Sequence, residues 1–355
     1  MKRTYLDTCR LAVLATLLIS ALVPMQAPAH HSPNVHFDRS NVLEISGTIT
    51  DVEWRNPHVQ LSIAVPDEND DVVVWQVEEN GLNFQQRRGI SESDYEIGAP
   101  IKVAGFVGRR NPTALFAINT LLPDGRELVF EQFSEPRWSV ELVPSEDEFL
   151  AANTEDTSRE TSGLFRVWSR DQEAYGDEDT GRTLWNDSYP LTEEARAARD
   201  NWDQVSENPF IYCQNGMPGI MDSPHPMEIA RAGSDILIRL EEQDVVRRIH
   251  MAGGQASVMP TPYGHSVGRL DEDTLVVTTT DIDFAWFDQT GIPQSDALRL
   301  VEHFAVSEDG RHLNYAVTAT DPAVFTEPVL LEKRWVWLPG EEIKPYECSY
   351  DRRDF

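Results

Sequence analysis

The chain has 355 residues, 60 of them acidic and 30 basic, and its 40% hydrophobic content is that of a globular protein rather than a disordered one. A formal charge of −30 repels phosphate backbones and anionic lipid, and no concentrated basic patch offsets it, so the composition argues against nucleic acid and membrane surfaces as partners.

Residues 1–29 read as an export signal: Lys2, Arg3 and Arg10 at a basic start, an apolar run from Leu11 to Val23, then Ala27-Pro28-Ala29 with small residues at the cleavage positions. The apolar run is shorter than the roughly 20 residues that span a bilayer. A periplasmic or secreted protein is expected, with no membrane span after signal cleavage. Only Cys213 and Cys348 follow the signal, and an even pair in an oxidising compartment predicts a disulfide.

Residues 30–132 predict a first domain of five short strands: Val42 to Val52, Val59 to Val65, Val72 to Val77, Ile101 to Val107 and Ala114 to Leu122. A helix over Asn80 to Arg88 falls between the third and fourth, which is the arrangement of an OB-like barrel. Residues 133–185 are rich in Glu, Asp, Ser and Thr and read as an acidic linker, with Gly163 to Trp168 as a short strand or aromatic plug. Residues 186–355 open with a helix from Leu191 to Trp202. Eight strands follow, at 226–230, 235–240, 245–251, 265–270, 274–280, 298–306, 312–319 and 329–338, separated by tight acidic turns. The fold class is mainly β, and the second domain is expected to be an antiparallel eight-stranded barrel of the calycin or lipocalin kind, a size that either fills with side chains or holds one small ligand.

Several stretches resemble one family. His30-His31-Ser32, His36-Phe37-Asp38, Gly47-Thr48-Ile49 and Glu53-Trp54-Arg55-Asn56-Pro57-His58-Val59 are similar to the signature of exported bacterial proteins grouped as domain of unknown function 6152, over roughly residues 30–130. Cys213, Gly216-Met217-Pro218, Arg247-Arg248-Ile249, Gly264 to Arg269, Asp273 to Val277, Glu302-His303-Phe304 and Asp321-Pro322 resemble a second exported module without an agreed function. The pattern often has a Trp where this chain has Leu270. The resemblance implies export and the two-domain layout, and no chemistry.

Three groups of residues can carry chemistry. A cut after Ala29 makes His30 the N-terminus, where its amine and ring, with the imidazoles of His31 and His36, form a set suited to copper or zinc; His58, after the Asn56-Pro57 turn, joins it if the terminus folds back over the small barrel. In the second domain His265 lies between two glycines at a strand start, with Asp281 and Asp283 in the loop after the next strand and Glu302 on a later one; a histidine held by a carboxylate acts as general base or acid. Tyr263, Trp286 and His303 are the candidate ligand contacts. Gly-x-Ser-x-Gly, His-Glu-x-x-His, phosphate-loop and Cys-x-x-Cys patterns are absent. The first reading is an exported binding protein with a small, partly apolar molecule in the second barrel. The alternatives are a lyase or isomerase using His265 with Asp281, Asp283 or Glu302, and a copper-binding protein working through the N-terminal histidines.

Overall fold

The computed structural model describes residues 36–130, 134–153, 163–171, 189–203, 206–251 and 259–349. The signal-like segment, His30 and His31 lie outside the described residues.

Six strands, rather than five, make the N-terminal sheet: β1 (Phe37–Glu53), β2 (Gln60–Pro66), β3 (Val72–Glu78), β4 (Pro100–Gly108), β5 (Ala114–Leu121) and β6 (Glu127–Val129), in the order β3-β2-β1-β4-β5-β6. A further parallel pairing of β3 with β5 links five of them in a cycle. The 17 residues of β1 serve two neighbours, β4 along the first part and β2 along the second. Gly47 lies next to Thr48, where the two pairings overlap, and a Cβ there would strike the Ala64 carbonyl, so the close approach needs glycine. Ile49, Leu61, Ile63, Val77, Val103 and Leu115 fill the interior. The expected helix is present as α1 (Leu82–Arg87).

Residues 134–153 of the segment expected to be a linker are bound to this sheet. The amides of Arg137, Trp138 and Ser139 all donate to the Glu127 carboxylate on β6, and Val143 N donates to the Glu127 carbonyl. A second helix, α2 (Glu146–Asn153), sets Phe149 against Gly89 behind α1. Acidic composition concealed this because the Glu127 carboxylate is buried and hydrogen-bonded by main-chain donors instead of facing water.

The C-terminal unit is a closed barrel of nine strands, against the eight expected. They are β7 (Val167–Arg170), β8 (Met227–Ala232), β9 (Asp235–Leu240), β10 (Val245–His250), β11 (His265–Asp271), β12 (Thr274–Thr280), β13 (Arg299–Val306), β14 (His312–Thr320) and β15 (Val329–Val336). They follow one another around the ring in chain order, and β15 pairs with β7 to close it. All neighbours are antiparallel except β10 and β11, which run parallel, so the lipocalin-like meander is also corrected at that point. The extra strand comes from the aromatic segment within the expected linker. Arg166 lies over the rings of Trp168 and Trp337, and the Trp168 indole donates to the Leu164 carbonyl, which holds the segment against the barrel. Burial alternates along β9, β10 and β14, so Ile236, Ile238, Leu240, Val245, Ile249, Leu313, Tyr315 and Val317 point inward.

Outside the ring, α3 (Glu193–Asn201) is capped by Thr192, whose hydroxyl accepts from Ala195 N. Cys213 and Cys348 are bonded, with Cα atoms 6.0 Å apart. Among the described residues no helix is long and apolar enough to cross a membrane.

Candidate functional site

The residues expected to act together divide between the inside and the outside of the barrel wall. Period-two alternation gives the inward position at the start of β11 to Ser266 and turns His265 outward. There its ring stacks on His250, with centroids 5.1 Å apart and planes 29° from parallel, and His250 Nδ1 is 3.4 Å from the Asp235 carboxylate. Asp281 is exposed, at a φ of +56°, and accepts from the Thr280 hydroxyl. Asp283 is exposed too, and its amide donates to the Thr261 carbonyl, which joins the loop before β11 to the loop after β12. Tyr263, Asp281 and Asp283 are therefore neighbours on one rim. Burial, reinforced by Glu242, pushes the Tyr263 phenol above its ordinary pKa. Trp286, further along the same loop, rests on Trp202 at the end of α3, with ring centroids 5.7 Å apart. His303 is on the outer wall, opposite Val276 and Ala316, away from this rim.

Glu302 faces the lumen, where it forms a two-point ion pair with Arg247 at 3.0 and 2.7 Å. Tyr315 Oη and Thr279 Oγ1 also donate to it, at 3.0 and 2.9 Å, and Ser266 Oγ lies 2.9 Å from Thr279 Oγ1. All five residues are buried. Burial opposes the charge on Arg247, but Glu302 outweighs it and raises the guanidinium pKa, while burial first and Glu302 second push the Tyr315 phenol well up. Sequence reasoning found Glu302 and missed Arg247, though both occupy inward slots flanked by apolar inward residues: Val245-Arg247-Ile249 and Leu300-Glu302-Phe304.

A short 3-10 helix, Gly219–Asp222, enters the same space. Ile220 and Met221 are completely buried, Met221 Sδ lies 3.2 Å from Arg247 Nη1, and the Lys333 ammonium donates to the carbonyls of Met221 and Ser223 at 3.1 and 2.6 Å. Burial lowers the Lys333 pKa to about 8 against the opposing effect of Asp222. At this level the lumen is filled by ion pair and plug. The expected pairing of His265 with Asp281, Asp283 or Glu302 is not formed: among the described residues no hydrogen bond or ion pair links His265 to a carboxylate, because His265 and Glu302 lie on opposite faces of the wall.

Of the candidate metal ligands, His36 and His58 are described. His58 Nδ1 lies 2.9 Å from the Glu79 carbonyl and 3.3 Å from Glu78 Oε1, and its ring meets Phe116 edge-on. Phe37, next to His36, packs on the same Phe116 ring at 5.7 Å, so the start of β1 and His58 share that ring. Burial, helped by Arg110, lowers the His36 pKa to about 4, which keeps that ring neutral. Among the described residues no group of three or more His, Cys, Asp or Glu could hold a metal ion.

A buried charged cluster joins the two units and was not anticipated. Arg87, on α1, donates from Nη1 and Nη2 to Glu241 at 2.7 and 2.5 Å and from Nε to Glu341 at 2.9 Å, with Glu146 Oε1 3.2 Å away. Glu241 also accepts from Asn83 Nδ2 and Lys344 N and lies 3.3 Å from His225 Nδ1. The segment 341–349 then crosses to the N-terminal unit: Asn56 Nδ2 donates to the Tyr346 carbonyl, and Ser349 N to the Asn56 carbonyl. Burial, and then repulsion from Glu341, raises the Glu146 carboxyl to about 7. A carboxyl raised on folding from its ordinary 4.5 favours the native state at low pH and loses that contribution as pH rises to about 7. Glu146→Gln is thus expected to stabilise the protein by about 1–3 kcal/mol at pH 8 and hardly at all at pH 4.5. Urea unfolding at the two pH values checks this, and equal effects at both would refute it.

These features define a mainly β protein of two units held together by buried charge. Residues 18–116 match the model of an uncharacterised family, described as Family of unknown function (DUF6152), in line with the N-terminal resemblance read from the sequence. No curated protein matches the chain.

Proposed function

We propose that the chain is an exported binding protein that takes a small, partly apolar molecule at the rim of its C-terminal barrel, beside Tyr263, His265 and Trp286. The carrying observation is the division of the acid and base candidates across the barrel wall. Glu302 is neutralised by Arg247 inside, whereas His265 stacks on His250 outside, so no poised proton-transfer pair is assembled. What the rim does offer is aromatic surface next to a few polar groups, which suits recognition. The plug moves the expected seat out of the lumen to that rim. The cycle of strands β1-β2-β3-β5-β4, with α1 between β3 and β4, supports an OB-like reading of the N-terminal unit; with so acidic a chain, support of the second barrel or contact with a protein suits it better than nucleic acid.

Native mass spectrometry of the protein isolated from the periplasm of producing cells tests this. The expected result is a chain beginning just after Ala29, oxidised at its cysteines and carrying a small molecule, with less of that molecule retained by Trp286→Ala. A chain with its leader intact, or a ligand-free mass that stays ligand-free when cell extract is supplied, would overturn the reading.

A further inference from the structure

The clasp between the two units brings three carboxyl groups onto one guanidinium. Every N–H of Arg87 is assigned: Nη1 donates to Glu241 and the Asn83 carbonyl, Nη2 to Glu241 and the Glu342 carbonyl, and the single Nε–H to Glu341 Oε1 at 2.9 Å. Glu146 Oε1 lies 3.2 Å from the same Nε, whose one hydrogen is already committed. Glu146 and Glu341 therefore meet beside that nitrogen, both buried and hydrogen-bonded to each other. Two ionised carboxylates cannot hydrogen-bond; a carboxylic acid and a carboxylate can, because the acid brings the proton.

These groups lie on opposite sides of a seam. Arg87 is on α1 and Glu146 on α2, which is fixed to the N-terminal unit by Phe149 against Gly89 and by Arg88 on the Val143 and Pro144 carbonyls. Glu241 and Glu341 face them from the barrel and its tail, with His225 3.3 Å from Glu241. Arg170 faces them from β7, its guanidinium over the Phe84 ring of α1. With Glu146 protonated, one positive charge on the N-terminal side meets two carboxylates and one guanidinium on the other. Once Glu146 ionises, its own side is neutral and it repels Glu341. The apolar cores of the two units are separate clusters, so polar groups and the ring contacts of His225 with Phe84 and Tyr346 make up the seam.

We propose that one proton, shared between Glu146 and Glu341, latches the two units together, so that the clasp is tight in mild acid and slackens as the medium turns neutral. Arg170 opposes the rise of the Glu146 carboxyl, but burial and Glu341 prevail and carry it from 4.5 to about 7. A carboxyl raised in the closed state contributes fully below 4.5, loses its contribution between 4.5 and about 7, and leaves a slack clasp above that. Glu241 bounds the window from below: held down to about 2, it keeps its charge on Arg87 throughout.

Hydrogen–deuterium exchange of the full oxidised protein at pH 5.5 and pH 8, corrected for intrinsic exchange rates, tests the latch. Protection of peptides from α1, α2 and residues 341–349 is expected to fall about tenfold at the higher pH, while peptides from β13 and β14 keep theirs. Glu146→Gln donates to Glu341 from its amide and cannot ionise, so it should hold the pH 5.5 level of protection at pH 8. Glu341→Gln removes the repelling charge and should flatten the pH dependence as well. Circular dichroism verifies that each variant is folded, and either one suffices if the other is not. Seam protection in the wild type that ignores pH, the same fall in a folded variant, or an equal fall in β13 and β14 overturns the latch.

Discussion

Glu241→Leu is expected to lower the unfolding free energy by about 3–5 kcal/mol, because it leaves the Arg87 guanidinium buried without its two-point partner. The loss extends beyond one ion pair, since Glu241 also organises Asn83, Lys344 N and His225. Removing both charges, as Glu241→Leu with Arg87→Met, is expected to recover part of the loss: the guanidinium is no longer stranded, although Glu341 and Glu146 then lose their cation. Burial acts to raise the Glu241 carboxyl, but His225 and Arg87 prevail and hold it down to about 2. Its contribution is present above the unfolded value of 4.5 and is lost as pH falls towards 2, so the wild type should weaken over that window more steeply than the double variant. Urea denaturation and limited proteolysis between the units measure both effects. A single variant within about 1 kcal/mol of wild type would mean that the cluster does not bear on stability.

Loss of the Cys213–Cys348 disulfide is expected to cost about 4–5 kcal/mol in the chain-entropy model, since it closes a loop of 135 residues. The damage should be greatest in two places. Cys213 precedes the Gly219–Asp222 plug, and Cys348 ends the segment whose amides at Tyr346 and Glu347 donate to Asp244. The double serine variant should therefore be cleaved first around 206–226 and 341–349, and should expose apolar lumen to a hydrophobic dye under mild conditions. Denaturant melts of oxidised, reduced and double-serine protein provide the comparison. A difference below about 1 kcal/mol would contradict a tether that spans so long a loop.

Much of the architecture could be read because its signals are local. Alternating burial in β9, β10 and β14 follows directly from alternating residue type, and α3 begins at a threonine cap. What escaped depends on partners far away in the chain. Helix α1 reads as Leu-Asn-Phe-Gln-Gln-Arg, an ordinary solvated surface, yet Asn83, Gln85 and Arg87 are its buried residues because Glu79, Glu241 and Glu341 come to meet them. Strand β6 was missed because it has three residues and opens with a glutamate. The candidate site was legible as a set of residue types and not as an arrangement: Tyr263, Asp281 and Asp283 do share a rim, but the one-residue step from His265 to Ser266 decides which side chain enters the barrel.

The crossing of residues 341–349 onto the N-terminal unit has a consequence for the order of synthesis. The unit made first depends on residues made much later: Asn56 and Arg87 stay without Tyr346, Ser349 and Glu341 until residues 341–349 have emerged. Until then Glu146 is the carboxylate at hand for the Arg87 guanidinium on α1, and Glu241 and Glu341 complete its surroundings only once the second unit and residues 341–349 have been made.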